Sequence, residues 1–491
     1  MPTRHHFGQA RLPYSSIFAL TLLTGCAVGP LYHVAAVPVA PAYKEIDTSV
    51  WKAATPADAS SHGKWWEIFQ DSQLNALEEK IDSGNQTIAV AEAHYHAAQA
   101  LVRQARAQYV PSVTSTPSYS NQRIAATPYT TTASGISYNE YSLPITVAWE
   151  PDFWGRVRKS VAANVYAAQG SAADLENARL LAHASLAADY FQLVGIESQK
   201  QLLDATLIAW QRYLELTQGL KKSGLVADEA LAAAESQLEA AQAQDTNLGI
   251  ARSQYEHAIA VLIGTSPSAL NVSLVTKDDI VPPIAVGIPS ELLERRPDIA
   301  SAERAMAAAN AQIGVAKAAY FPSILLSASG GFETLSGLNW FTWPSRFWSI
   351  GPSAAETIFD GGVRKATVDQ YKAQYEETVA TYRQTTLTAF QQIEDNLAAL
   401  RILNEDIRQQ DQAVQSARRY LQQATTRNAA GLDPYLNVLI AQVNLLTYQQ
   451  TCVSFRTQQK LAAVSLVTAL GGGWSTNDLP TSKEVLKRHA P

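Results

Sequence analysis

The side chains best able to do chemistry in this 491-residue chain are few and scattered. His94 and His96 stand two apart, about 200° around a helix axis, so they do not face one metal ion and read as exposed histidines. The run Phe359-Asp360-Gly361-Gly362 resembles a phosphate loop only superficially. It lacks Gly-Lys-Ser/Thr, and a strand-to-helix turn explains its glycines. With two methionines, one of them the initiator, a thioether path for copper has no basis. No nucleophile with a base and an orienting acid stands out, so a hydrolase has no motif behind it, and neither catalysis nor a cofactor is expected. The two cysteines remain. Cys452 reads as a small buried hydrophobe, whereas Cys26 directly follows an apolar run, which places it at a boundary.

Arg4 and Arg11 precede the stretch Ser15 to Gly25, which is apolar but too short to span a bilayer, as in a secretory signal. Thr24 and Gly25 suit a peptidase pocket, and Leu-Thr-Gly-Cys resembles the lipobox of bacterial lipoproteins. Residues 1–25 are then a signal peptide, and Cys26 becomes the lipid-bearing first residue, with palmitate among the expected acyl chains. Ala27 follows, where an aspartate would resemble an inner-membrane retention signal, so an outer-membrane destination is expected. A lipidated Cys26 leaves Cys452 without an intramolecular partner, and no disulfide framework follows.

The elements that must carry such an anchored chain can be read from composition and spacing. The chain is 47% hydrophobic but only 17% charged, which favours long, closely packed helices. A net charge of −6, with no basic run outside the signal, argues against nucleic acid. No run of eighteen apolar residues follows the signal, so entry into a bilayer requires strands. Residues 26–62, with Pro30, Pro38, Pro41 and Pro56, read as an extended tether. From Trp65 onward the chain repeats itself. Pro111 and Pro322 are 211 apart, Gly155 and Gly361 are 206 apart, and the pairs Gly224/Gly431 and Gly264/Gly471 are each 207 apart. Four landmarks at nearly one offset indicate an internal duplication, with repeats over 63–285 and 286–474 and a tail over 475–491.

Each repeat has the same order. A helix over about 74–109 or about 298–320 is stopped by proline. Two strands follow, about 112–151 and about 323–360, rich in Ser, Thr, Tyr and Val. A long proline-free helix comes next, about 154–218 in the first repeat, and an apolar stripe such as Leu387, Phe390, Ile393, Leu397 and Leu400 marks a coiled-coil seam. The helices turn at tips near 220–229 and 428–435, with Gly224 and Gly431 as C-terminal caps and Asp228 as an N-cap. The aromatic cluster Trp340, Phe341, Trp343, Phe347 and Trp348 fits an interfacial belt or packing within its own loop. Four strands cannot close a barrel, and an open edge in hydrocarbon costs several kcal/mol per unsatisfied group, so copies must share a barrel of at least eight strands. The fold class is mostly α with a membrane β-barrel.

At this point the segments CAVGP, WWEIFQDSQL, WEPDFWGRVRKS, RRPDIASAERAMAAANAQIGVAKAAYFPSI, FDGGVRK and AAGLDPYLNVLIAQ resemble, in order, the signatures of the outer-membrane factor family of the TolC, OprM and NodT type, especially its lipoprotein branch. The resemblance implies a homotrimer in outer-membrane lipid, with a twelve-stranded barrel and an α-helical tunnel. It also implies docking on a periplasmic adaptor (membrane fusion) protein, which links the channel to an inner-membrane pump of RND type. Gly224, Leu225, Gly431 and Leu432 match the adaptor-contact tips, and plain helix capping satisfies them equally. Tyr435 and Leu436 match the narrowing of the resting tunnel. Asn437 and Ile440 stand where relatives often carry aspartates, which leaves Asp433 as the nearby source of an acidic ring. Export of small toxic compounds, as in multidrug resistance, is the leading expectation. Alternatives are a type I protein-secretion channel and a lipid-anchored coiled-coil scaffold, and the latter leaves the paired strand hairpins unexplained.

Overall fold

The computed structural model describes residues 28–45, 64–125, 135–272, 284 and 292–486; Cys26 lies outside them. The main helices come in matched pairs. α1 (Gln86–Ala107) and α4 (Pro297–Ala318) have 22 residues each, α2 (Arg156–Lys222) and α5 (Val363–Ala429) have 67, and α3 (Asp228–Leu262) and α6 (Tyr435–Ala469) have 35. Duplication therefore extends to helix length. At 1.5 Å per residue, α2 and α5 each reach roughly 100 Å. No described helix is long and apolar enough to cross a membrane.

One step of 207 residues relates α2 to α5 throughout, because the buried positions Leu186, Tyr190 and Leu193 recur as Ile393, Leu397 and Leu400. These side chains join Leu74, Ile81, Ile299, Met306 and Leu466 in the largest core cluster. The structural counterpart of Gly155 is Gly362, not Gly361. Each caps its long helix with a left-handed backbone, φ +80° and +95°. The Phe-Asp-Gly-Gly turn is one residue tighter after its aspartate than Asp-Phe-Trp-Gly, which is why motif matching slips to 206. In both turns an aspartate caps the helix. Asp152 accepts from the backbone N–H groups of Val157 and Arg158, and Asp360 accepts from those of Gly362 and Arg364.

Two boundaries differ from the sequence reading. The first helix is three pieces, Ser72–Glu78, Ile81–Gly84 and α1. Asn85 causes the second break: its Oδ1 accepts from Thr87 N and Ile88 N at 2.9 and 3.1 Å, while its Nδ2 donates to Leu262 O at 2.9 Å, so the backbone leaves the helical region to start α1 afresh. The strands number five among the described residues: β1 (Ser112–Ser115), β2 (Ser118–Ile124), β3 (Ile136–Trp149), β4 (Ser323–Thr334) and β5 (Arg346–Ala355). β1 and β2 are one strand interrupted. Ser115 pairs with Ile145 and Ser118 with Ser142, so the gap at Thr116 and Pro117 faces Pro144. Neither proline can donate to the ladder, and Ser115 Oγ donates to Pro144 O at 2.8 Å instead. All pairings are antiparallel, in the order β1/β2, β3, β4, β5.

The first and last described segments are docked. Residues 28–45 lack helix and strand and run as a strap. Val28 N donates to Trp154 O at 3.2 Å, and the N–H groups of Lys44 and Glu45 both reach the carboxylate of Glu394, at 2.8 and 3.0 Å. In the tail, Val485 is fully buried with Val102, Val165 and Ala168. The Arg-Arg-Pro-Asp motif is explained by Arg296, the buried residue before α4. Its guanidinium donates to Asp298, to Gln392 of α5 and to Ala469 O at the end of α6. A cation there meets the negative end of α6 and ties three helices together.

Candidate gate and docking tips

Each long helix ends in a Schellman turn that glycine makes possible. Gly224 (φ +66°) sends its N–H to Lys221 O, and Leu225 sends its own to Leu220 O. In the second repeat, Gly431 (φ +72°) and Leu432 do the same to Asn428 O and Arg427 O. This 6→1 and 5→2 pattern satisfies carbonyls that a helix end leaves open. It also leaves Leu225 and Leu432 in solvent, 71% and 68% exposed. Exposed leucines at two matching turns can cap the hairpins and still offer an apolar handle.

The next helices start differently. The N-cap of α3 is Ala227, which makes no side-chain cap bond, rather than Asp228. Asp228 is already helical and instead meets Lys221 Nζ across the turn at 2.7 Å. In the second tip Pro434 is the N-cap, and Asp433 before it is held by Arg427 through Nη2 at 3.2 Å and through Nε. Asn428 Nδ2 closes the turn on Asp433 O at 2.9 Å. Bonding to Lys221 and to Arg427 holds both aspartates below the usual carboxylate range. Asp433 thus already has a cationic partner in its own chain.

On α6 the helical period separates two faces. Val438, Leu439 and Ala441 are buried, Val438 and Ala441 with Ala424, and Leu439 with Trp210, Leu238 and Ala241. Leu436 and Ile440, four apart, share the open face at 50% and 46% exposure, and Asn437 is half-buried between them. Tyr435 stacks on Tyr213 of α2, with centroids 5.7 Å apart and planes 15° apart, which fixes the first turn of α6 against the other repeat. The whole of α6 contains no aspartate or glutamate. The structure therefore brings Asp433, Leu436, Asn437 and Ile440 into one turn region, with apolar side chains outermost.

Other sequence candidates fall in varied settings. Cys452 is buried, but its Sγ donates to Asp411 Oδ1 at 3.2 Å, so it is more than an apolar filler. In the β4–β5 connection Trp340 and Phe341 stack at 5.3 Å and Arg346 covers one face of Trp343, yet Phe341 and Trp343 stay largely exposed, as does Trp348 in β5. One polar cluster escaped the sequence reading. Glu78, fully buried, contacts His183 Nδ1 at 2.7 Å, and Trp66 stacks on that imidazole at 4.3 Å. Burial pushes the Glu78 carboxyl up to about 7, against the opposing pull of His183. The partners are 105 residues apart, and no local spacing announces them.

A chain with a strand hairpin and a capped helix hairpin in each of two repeats, the hairpins pairing in one sheet, belongs to the class of outer-membrane channel proteins with a helical extension. A family model described as outer membrane efflux protein matches residues 78–265 and 288–472, and the chain belongs to that family. It is 32% identical over 456 residues to the toluene efflux pump outer membrane protein TtgC of Pseudomonas putida, covering 92% of this chain and 94% of the relative. To the pyoverdine export outer membrane protein OpmQ of Pseudomonas aeruginosa it is 31% identical, covering 87% and 92%. The solved outer-membrane channel OprN superposes with a TM-score of 0.83 at 30% identity, over 91% of this chain and 100% of that one. The protein is an outer-membrane efflux component.

Proposed function

We propose that three copies of this chain close one twelve-stranded barrel and continue it as a helical tunnel, forming the passive outer-membrane conduit of a tripartite efflux system. The observation that carries this reading is the sheet: β1 and β2 on one side and β5 on the other have no further strand partner among the described residues. Such edges in hydrocarbon need closure, and four strand positions per chain reach twelve with three chains. Far from the strands, Leu225 and Leu432 offer the apolar handles for a periplasmic adaptor, through which an inner-membrane pump of RND type supplies the energy.

Leu436 and Ile440 form the resting constriction, an apolar ring that excludes water and ions when narrow. Small toxic compounds are the cargo, a class to which toluene, named for one relative, belongs. A lipid on Cys26 anchors the assembly. The bond from Val28 N to Trp154 O places the start of the strap beside the strand-to-helix turn, so acyl chains would begin at the margin of the sheet. The deciding measurement is the mass of the detergent-extracted protein by light scattering with detergent subtracted. Three chains per particle are expected, and a folded monomer would overturn the shared barrel. Loss of palmitate labelling in Cys26→Ala tests the anchor.

A further inference from the structure

The duplication contains a pairing rule that one chain applies once. β3, the last strand of the first repeat, pairs with β4, the first strand of the second. The operation that carries the first repeat onto the second, applied again, sets β1 and β2 of another copy against β5. We propose that β5 pairs with β1 and β2 of a neighbouring copy in one register: Ser353 opposite Ser118, Ser349 opposite Gln122, and Trp348 opposite Arg123 of that copy. This rests on the shared-barrel reading and states which residues meet within it.

The register follows from matched pairs. Ser112 lies opposite Ala148 and Ser323 opposite Ala355, and in both the serine Oγ donates to the alanine carbonyl at 3.3 Å. First strands are thus related by 323 − 112 = 211 residues and last strands by 355 − 148 = 207. In the junction between the repeats, Thr146 faces Ser329. Moving Thr146 forward by 207 gives Ser353, and moving Ser329 back by 211 gives Ser118. The same shifts carry Ser142 and Glu333 onto Ser349 and Gln122, and Tyr141 and Thr334 onto Trp348 and Arg123.

Three features agree with this register. Thr146 Oγ1 and Ser329 Oγ are 3.3 Å apart, and their transferred counterparts are again two hydroxyls. The alternation of faces is also kept. From Ser115 the pairings run to Ile145, Gly330 and Trp348, and the proposed contact returns to Arg123, an even step of 123 − 115 = 8 residues. A slip by one residue would give an odd step and turn every side chain to the wrong face. Among the helices, α4 packs against both α2 and α5, while α1 packs against α2. The same operation offers α1 the α5 of the neighbouring copy.

The test uses the full-length protein with Cys452→Ala, comparing Ser118→Cys/Ser353→Cys with Ser120→Cys/Ser353→Cys. Directly opposed Cα atoms lie about 4.5–5.5 Å apart, within the disulfide range, and positions two residues off lie about 7–8 Å away. Mild oxidation is expected to convert the first pair to covalent dimers and trimers, at least about tenfold more than the second, by the steepness of that distance limit. Cross-linking of the Ser120 pair in its place, or of neither pair in particles of three chains, overturns the register while the trimer stands. Particles of one chain by light scattering overturn the shared barrel, and the register with it.

Discussion

The two helix tips are built alike and finished differently. Both use a left-handed glycine, both expose a leucine after it, and both bind an aspartate to a cation of the preceding helix. Beyond the turn they diverge. The first turn of α3 presents Asp228 and Glu229, whereas the same positions of α6 are Tyr435 and Leu436, and Ala233 is replaced by Ile440. The turn geometry, which rests on a left-handed glycine and two backbone hydrogen bonds, is the same in both. The side chains pointing away from it differ, and only the second tip presents an apolar pair, Leu436 and Ile440, on its open face.

The largest contrast should come from Leu436→Gly against its counterpart Glu229→Gly. The former is expected to sensitise cells to large antibiotics and the latter to leave sensitivity unchanged; equal effects would remove the distinction between the tips. Next, valine at Gly224 or Gly431 forces a branched side chain into the left-handed region. No atom lies within 4 Å of an added Cβ at either site, so the cost is backbone strain of about 1–2 kcal/mol at each. Limited proteolysis should cut either tip about 5–30 times faster, and equally for both. A large difference would mean that the turns are not equivalent.

A third contrast concerns pH. The first repeat has His183 against Glu78, where the step of 207 residues puts Phe390 in the second. Because the Glu78 carboxyl is raised from 4.5 to about 7, the folded state holds its proton longer than the unfolded chain. That contribution is complete below about 4.5 and is lost as pH rises through about 7. Melting temperature in Glu78→Gln should therefore change less between pH 5 and pH 7.5, and an unchanged slope would exclude this carboxyl. The smallest effect is expected for Lys221→Ala and Arg427→Ala, whose exposed ion pairs salt already screens. Tip proteolysis should rise slightly at low salt and not at high salt.

Much of this was legible because glycine and proline announce themselves. Gly224, Gly431, Pro111 and Pro322 sit where only a few backbone geometries are possible, so tips and helix stops could be placed from residue type. The apolar stripe of α5 needed only periodicity for Ile393, Leu397 and Leu400, whereas Leu387 at its start is 51% exposed and lies outside the seam. What remained hidden depended on distant partners. The break at Asn85 is tied to Leu262 O, 177 residues away. Pro144 interrupts a strand that is not its own, and Arg296 finds Ala469 across 173 residues. The partner of Asp433 was hidden too, because Arg427 becomes its neighbour only when the tip folds back.

The equal lengths of the paired helices have a mechanical consequence. With 67 residues down and 35 back in both repeats, the two hairpins have equal reach, and in the proposed ring of three chains equal reach would end the tunnel in a flat seat. Such a seat would let the proposed adaptor press on all its feet at once and share load evenly. One extra helical turn in a single repeat would raise every second foot by about 5 Å, leaving a notched rim that no planar partner could seal.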